Sequence, residues 1–167
     1  MIFTAWADGR FDLAGTTTRC ALGRSGVIGA ADKREGDGAT PLGLWPIRRL
    51  LYRPDRGASK TALPSFAIAE TDGWCDDPGD PAYNRPVTLP YPASAERLWR
   101  EDAVYDWIGV LGHNDDPPVP GLGSAIFLHL ARDGYSPTEG CVALSRPDLQ
   151  RLLALAGPGS AIAVRRA

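Results

Sequence analysis

Ala125-Ile-Phe-Leu-His129-Leu-Ala-Arg132-Asp-Gly-Tyr135-Ser-Pro-Thr138-Glu139-Gly140-Cys141-Val-Ala-Leu144-Ser145-Arg-Pro-Asp-Leu149 reads as strand, loop and helix in quick succession. The apolar run Ala125–Leu130 has the length and composition of a buried strand. Asp-Gly and Ser-Pro then break it. Ser145 supplies an N-cap, Pro147 and Asp148 occupy the first turn, and Leu149, Leu152, Leu153 and Ala156 recur at i, i+3, i+4 and i+7. This spacing predicts a helix over 145–156, stopped by Gly157-Pro158.

Outward from this segment the chain reads as strands. Ile2–Trp6 and Phe11–Leu13 flank an Asp8-Gly9 turn and suggest a hairpin. Thr17–Leu22, Val27–Ile28, Leu44–Ile47, Phe66–Ala69, Tyr105–Leu111 and Ala161–Val164 are further strand candidates. Ser94–Asp102, with Ser94 as cap, reads as a second helix. Residues 72–92, dense in Asp, Gly and Pro, read as an extended ordered loop. The sum is a mainly β, β-rich α+β protein with two short helices.

At 167 residues the chain fits one domain, 1–167, which buries roughly 70% of its unfolded surface. Hydrophobic content of 44% and charged content of 23% are those of a globular protein, and 19 Gly with 15 Pro favour turns over a helical bundle. Net charge is −2, distributed as +4 over residues 1–60, −9 over 61–140 and +3 over 141–167. The acidic middle repels a nucleic-acid backbone, and no basic stripe with interleaved aromatics offsets it. It is compatible with a cationic or zwitterionic substrate, and equally with a solvated acidic face. Three cysteines, Cys20, Cys75 and Cys141, lack the spacing of a disulfide framework or a C-x-x-C metal site, although a single Cys20–Cys75 bridge stays open. No run of about 18 apolar residues suggests a membrane span. The first residues lack a basic stretch followed by an apolar one, so no secretory signal is expected there.

His129 on a strand and Cys141 before a capped helix are the candidate chemistry. A thiol reacts as thiolate and needs a base or a dipole to generate it. Gly140 permits the close backbone approach of a nucleophile turn, and amides around Gly140–Cys141 can face a developing oxyanion. Spacing alone leaves the pair equally readable as a buried structural cysteine and a satisfied core histidine.

The wording of the segment resembles the active-site signature of the L,D-transpeptidase, or YkuD, family: a strand-borne His followed by a loop and Ser/Thr-x-Gly-Cys, here His129, Thr138, Gly140 and Cys141. Thr40-Pro41-Leu42-Gly43 resembles the family's Thr-Pro-x-Gly segment, and Trp107–Asn114 and Gly123–His129 resemble the strands leading to its His. The likeness implies a β-sandwich or barrel. It also implies a Cys141 nucleophile with His129 as base, oriented by a backbone carbonyl, and no metal or other cofactor. Expected partners are peptidoglycan stem peptides as donor and acceptor, with carbapenem-type inhibitors acylating the same thiol. A monomer acting in the periplasm is expected.

Three departures from the pattern stand out. Glu139 replaces a second His, Ala143 replaces a basic or amide residue two positions after the Cys, and the 129–138 loop is short. They fit a divergent branch forming 1,3-type links, from stem L-alanine to meso-diaminopimelate, at least as well as the 3,3-type. Hydrolysis of stem peptides by the same acyl-enzyme and a non-catalytic peptidoglycan-binding module are the rival readings. A Cys141 no more reactive toward iodoacetamide than a denatured thiol would argue for the last.

Other residues carry paired readings. Tyr135 and Thr138 border the nucleophile and either position substrate or shape the turn. Arg132 either replaces the missing basic residue or is a solvated strand end. Asn84 and Arg85 lie in the Pro-rich loop and are candidate acceptor-wall residues. His113 and Asn114 beside Asp115-Asp116 invite a metal reading, against a loop-entry turn. The five tryptophans read mostly as core, with Trp74 a candidate for a groove.

Overall fold

The computed structural model describes residues 1–167 throughout. Its strands are β1 (Ile2–Trp6), β2 (Arg10–Leu13), β3 (Thr16–Arg19), β4 (Val27–Ile28), β5 (Thr40–Pro41), β6 (Gly43–Tyr52), β7 (Ser65–Ala67), β8 (Asp72–Cys75), β9 (Pro86–Thr88), β10 (Ala95–Arg97), β11 (Trp107–Leu111), β12 (Phe127–Leu130), β13 (Val142–Leu144) and β14 (Ala161–Arg165). One α-helix, α1 (Arg146–Leu155), joins β13 to β14.

The main sheet runs β13-β12-β11-β6-β14-β1-β2-β3, with β7 beside β6. It nearly closes on itself. Just beyond β3, Ala21 and Ala143 exchange two backbone hydrogen bonds of 2.9 Å each, tying the first edge to the last. The expected β-rich barrel is therefore what forms, and closure leaves few unpaired edge groups.

Side-chain alternation along β12 and β13 sorts residues into two clusters. Leu128, Leu130, Val142 and Leu144 point into the barrel, where Leu149, Leu152 and Leu153 of α1 join them. Each such leucine contributes roughly 1.5–3 kcal/mol by leaving water. The helix starts where its cap predicts: the Ser145 hydroxyl accepts from the Asp148 amide. Phe127 and Cys141 point the other way, into a smaller cluster with Ile68, Trp74, Leu98, Tyr105 and Ile108. That outer cluster is covered by a three-stranded sheet, β10-β8-β9.

This outer sheet corrects two expectations. Ser94–Asp102 is not helical. Ala95–Arg97 pairs antiparallel with β8, Glu96 opposite Trp74, and the Leu98 amide continues the pairing onto Asp72. Only Leu98 offers a fully buried apolar anchor in that stretch, so the ladder to β8 satisfies the backbone better than an isolated helix would. Residues 72–92 likewise contribute β8 and β9 rather than loop alone. The fold thus has one α-helix, not two.

Cys20 and Cys75 are buried, free thiols. At His113–Asn114 the chain makes a turn: the Asn114 side chain bonds the Val119 amide and the Val119 and Gly123 carbonyls, while His113 Nε2 lies 3.0 Å from the Leu122 carbonyl. The Asn114 amide is thus fully engaged in the turn, while His113 Nδ1 is buried without a partner.

Candidate active site

β12 and β13 run parallel, with Leu128 beside Val142 and His129 beside Ala143. One step back, Cys141 lies alongside Phe127. Alternation then puts Cys141 and His129 on the same outer face of neighbouring strands, as a diagonal pair. Both line one cavity of about 440 Å³ between the barrel and the β8–β10 sheet.

The turn entering Cys141 is held by its own sequence. Gly140 has φ 135°, and a Cβ there would lie 2.9 Å from the Ala39 carbonyl oxygen, so only glycine fits. Thr138 Oγ1 donates to the Cys141 carbonyl at 2.7 Å and accepts from the Gly140 amide at 3.1 Å. Cys141 Sγ donates to the Ala125 carbonyl at 3.3 Å and accepts from the Phe127 amide at 3.4 Å. The Cys141 amide, by contrast, has no acceptor within the protein. It is available to an anionic oxygen beside the thiol.

His129 Nδ1 lies 2.9 Å from the Leu130 carbonyl. A carbonyl only accepts, so a neutral His129 carries its proton on Nδ1 and keeps the lone pair on Nε2. A backbone carbonyl thus orients the ring, as expected, while the Tyr105 ring packs edge-on at 5.3 Å. Burial pushes His129 down to about 4, with Arg132 and Arg100 adding to the effect. Burial, and next the Glu96 charge, push the Cys141 thiol up to about 12. At neutral pH the two groups rest as thiol and imidazole, not as an ion pair. Such a pair can still react if the proton moves to Nε2 as the sulfur attacks.

The chain matches the family described as YkuD, L,D-transpeptidase catalytic domain, over residues 2–164. It belongs to the YkuD family. Among curated proteins, none matches it significantly.

The remaining candidates are placed as follows within this YkuD domain. Thr138, Glu139 and Arg132 line the cavity with Cys141 and His129. Glu139 is 77% exposed and swung outward into an ion pair with Arg24 at 2.9 Å. Arg132 is exposed and lies 3.5 Å from Asp102, which also takes both forks of Arg100. Tyr135 does not line the cavity; Arg19 stacks over its ring at 4.7 Å. Asn84 lies behind the site, buried, with all its hydrogen-bonding capacity engaged. Its Oδ1 accepts from Trp74 Nε1 at 2.8 Å and the Ala125 amide at 3.0 Å, and its Nδ2 donates to the His113 and Asn114 carbonyls. It therefore fixes the segment entering β12, whose Ala125 carbonyl meets the thiol. Arg85 is exposed beside a separate, smaller cavity. Trp74, buried on Asn84 and Phe127, lines two cavities other than the one around Cys141.

Several cavity residues escaped the sequence reading: Lys33, Glu35, Asp76, Glu96, Arg100 and Tyr105. They come from segments that meet only when the outer sheet packs on the barrel. The negative balance of residues 61–140 hints only at Asp76 and Glu96 among them.

Proposed function

We propose that this YkuD domain is a cysteine-dependent L,D-transpeptidase that cross-links peptidoglycan stem peptides through a thioester on Cys141. The observation that carries this reading is the placement of Cys141 and His129 on one face of paired strands, in one cavity, with the Cys141 amide unspent. In the first half-reaction His129 Nε2 takes the thiol proton as sulfur attacks the carbonyl on the L side of an L,D peptide bond. The Cys141 amide donates to the oxyanion. The C–N bond breaks, and His129 returns the proton to the departing amine. In the second, the side-chain amine of another stem attacks the thioester, its proton passes to His129 and on to the sulfur, and the C–S bond breaks.

The cleaved bond is the one joining L-alanine to D-glutamate, giving 1,3-type links to meso-diaminopimelate. Two features support this over the 3,3-type. The position two residues after the nucleophile, Ala143, is buried against Ala21 and offers no cation to a donor carboxylate. Of the cations that line the cavity, Lys33 is held by Asp37, while Arg100 and Arg132 act on the His129 imidazole instead. Such a substrate places the protein outside the cytoplasmic membrane, in the periplasm. Carbapenems are expected to acylate Cys141.

Incubation with purified muropeptides followed by mass spectrometry tests the proposal. Dimers joined through L-alanine, absent with Cys141→Ala, are the expected product. Dimers of 3,3-type would overturn the bond assignment, and shortened monomers alone would replace transfer by hydrolysis.

A further inference from the structure

The cavity around Cys141 carries charges of both signs. Arg100 and Arg132 line it, both tied to Asp102. The lining also carries three carboxylates, Glu35, Asp76 and Glu96, close enough that the charges of Asp76 and Glu35 both act on Glu96. None of the three is in a salt bridge, and Arg100, whose charge reaches Glu96, is itself held by Asp102. Lys33, the one lysine of the lining, is spent: its Nζ donates to Asp37 at 2.5 Å and to the Arg34 carbonyl at 2.8 Å.

The polar atoms around these carboxylates are also incompletely used. Glu96 accepts one bond, from the Tyr105 hydroxyl at 2.5 Å on Oε1. Asp76 Oδ1 is buried with no partner. Ser124, only 8% exposed, has a buried Oγ that finds no well-formed hydrogen bond, with the Tyr83 hydroxyl as a neighbour. Unsatisfied buried acceptors are rare and costly in folded proteins, more so beside like charges. Here they border the reacting thiol, whose titration itself feels Glu96. A metal does not suit the arrangement, because no three acidic, histidine or cysteine side chains come together as ligands.

We infer that Glu96, Asp76 and Ser124 form the subsite that receives the acceptor's primary ammonium group, so that Glu96 is a specificity-determining residue for the second half-reaction. This rests on the acyl-transfer reading above and deepens it. An ammonium has three donors and one positive charge. It matches the free Glu96 oxygen, Asp76 Oδ1 and Ser124 Oγ in number, and it offsets carboxylate charge that no salt bridge engages. Docked there, the amine sits beside Cys141. A carboxylate among its partners then accepts the proton the amine must lose before its nitrogen attacks the thioester.

Binding to the unreactive Cys141→Ala protein tests the subsite without requiring turnover. The probe is meso-diaminopimelate, titrated calorimetrically into Cys141→Ala and into Cys141→Ala/Glu96→Gln, with di-N-acetylated diaminopimelate as the uncharged-nitrogen control. Removing one charged acceptor is expected to weaken binding about 10- to 100-fold, as is acetylation of the probe. Glu96→Gln keeps an acceptor for Tyr105, and its melting temperature shows whether the variant folds; Asp76→Asn is the second variant should it not. Equal affinity of the parent and folded charge-removed proteins would overturn the subsite. Acylation of wild-type Cys141 by a carbapenem, read by intact mass, reports separately on the nucleophile, so failure of that reading is distinguishable from failure of this one.

Discussion

Native Cys141 should be sluggish toward a simple alkylating agent even though it is the proposed nucleophile. A thiol raised from 9.0 to about 12 carries about 1000-fold less thiolate at pH 7.5 than an unperturbed one. The thiolate that does form is intrinsically more nucleophilic, and a Brønsted slope of about 0.4–0.5 returns roughly 15- to 30-fold. The net expectation is alkylation by iodoacetamide about 30- to 60-fold slower than in the urea-denatured protein, and slower still if the 7% exposure of Cys141 limits access. This reverses the expectation drawn from the sequence, where low reactivity spoke for an inert fold. The structure holds both members of the pair neutral, so reactivity must be asked of a substrate that lets the proton move during attack. A carbapenem does so: its carbonyl oxygen can take the Cys141 amide while Nε2 takes the proton. Acylation by a carbapenem should therefore be faster in the native than in the denatured protein, and His129→Gln should abolish that advantage. Second-order rates from intact-mass time courses at several pH values measure both. Alkylation faster than the denatured thiol, levelling off below pH 8.5, would show a preformed thiolate–imidazolium pair and refute the reasoning.

Acid should destabilise the fold through His129. The unfolded chain binds this proton near pH 6.5 and the folded protein only near 4, so stability falls as pH drops through that window. The loss, complete below about pH 4, amounts to roughly 3 kcal/mol. Urea denaturation at pH 7 and 4.5 should show a smaller difference in His129→Gln, whereas an unchanged difference would reject the burial argument. Asn84→Ala leaves the Trp74 and Ala125 N–H groups without their acceptor, and the expected destabilisation is about 3 kcal/mol, measured in the same way. Gly140→Ala forces a Cβ toward the Ala39 carbonyl at 2.9 Å. The resulting shift of the nucleophile turn should lower kcat/KM about 100-fold, while the melting temperature falls by only a few degrees.

What was readable in the sequence is what local chemistry decides. The Ser145 cap and the leucine spacing gave α1 within a residue, and the Asp8-Gly9 turn gave the first hairpin. The apolar run before His129 gave β12, although pairing begins only at Phe127, after Ala125 at φ 52°. The outer sheet was illegible for a physical reason. Its strands are three or four residues long, two of them in the Asp-, Gly- and Pro-dense stretch 72–92, and exist because each finds its hydrogen bonds on another segment. Misreading 94–102 as helix hid Glu96 and detached Arg100 from the site. The central pair was legible because its motif is contiguous. The charged walls were not, because they are assembled across more than a hundred residues.

The departures at Glu139 and Ala143 reduce to one rearrangement of charge. Ala143 exchanges both its backbone hydrogen bonds with Ala21 at the barrel seam, and its side chain shares the outer face with the buried imidazole. A long cation there would have to crowd His129 and would lower its basicity further. Positive charge is carried instead on the 100–102 turn and Arg132, where Asp102 is held down to about 2, chiefly by its hydrogen bonds to Arg100, and so stays ionised at any physiological pH. Glu139, bound outward by Arg24, still acts on the thiol, but less than Glu96 does. The cavity thereby holds arginines and carboxylates together around the proposed nucleophile. On the proposed mechanism, donor carboxylates align toward the former and the acceptor amine toward the latter. Reversing either charge, with Arg132→Glu or Glu96→Lys, should then impair different half-reactions: acylation of Cys141 in the first case, transfer from the thioester in the second.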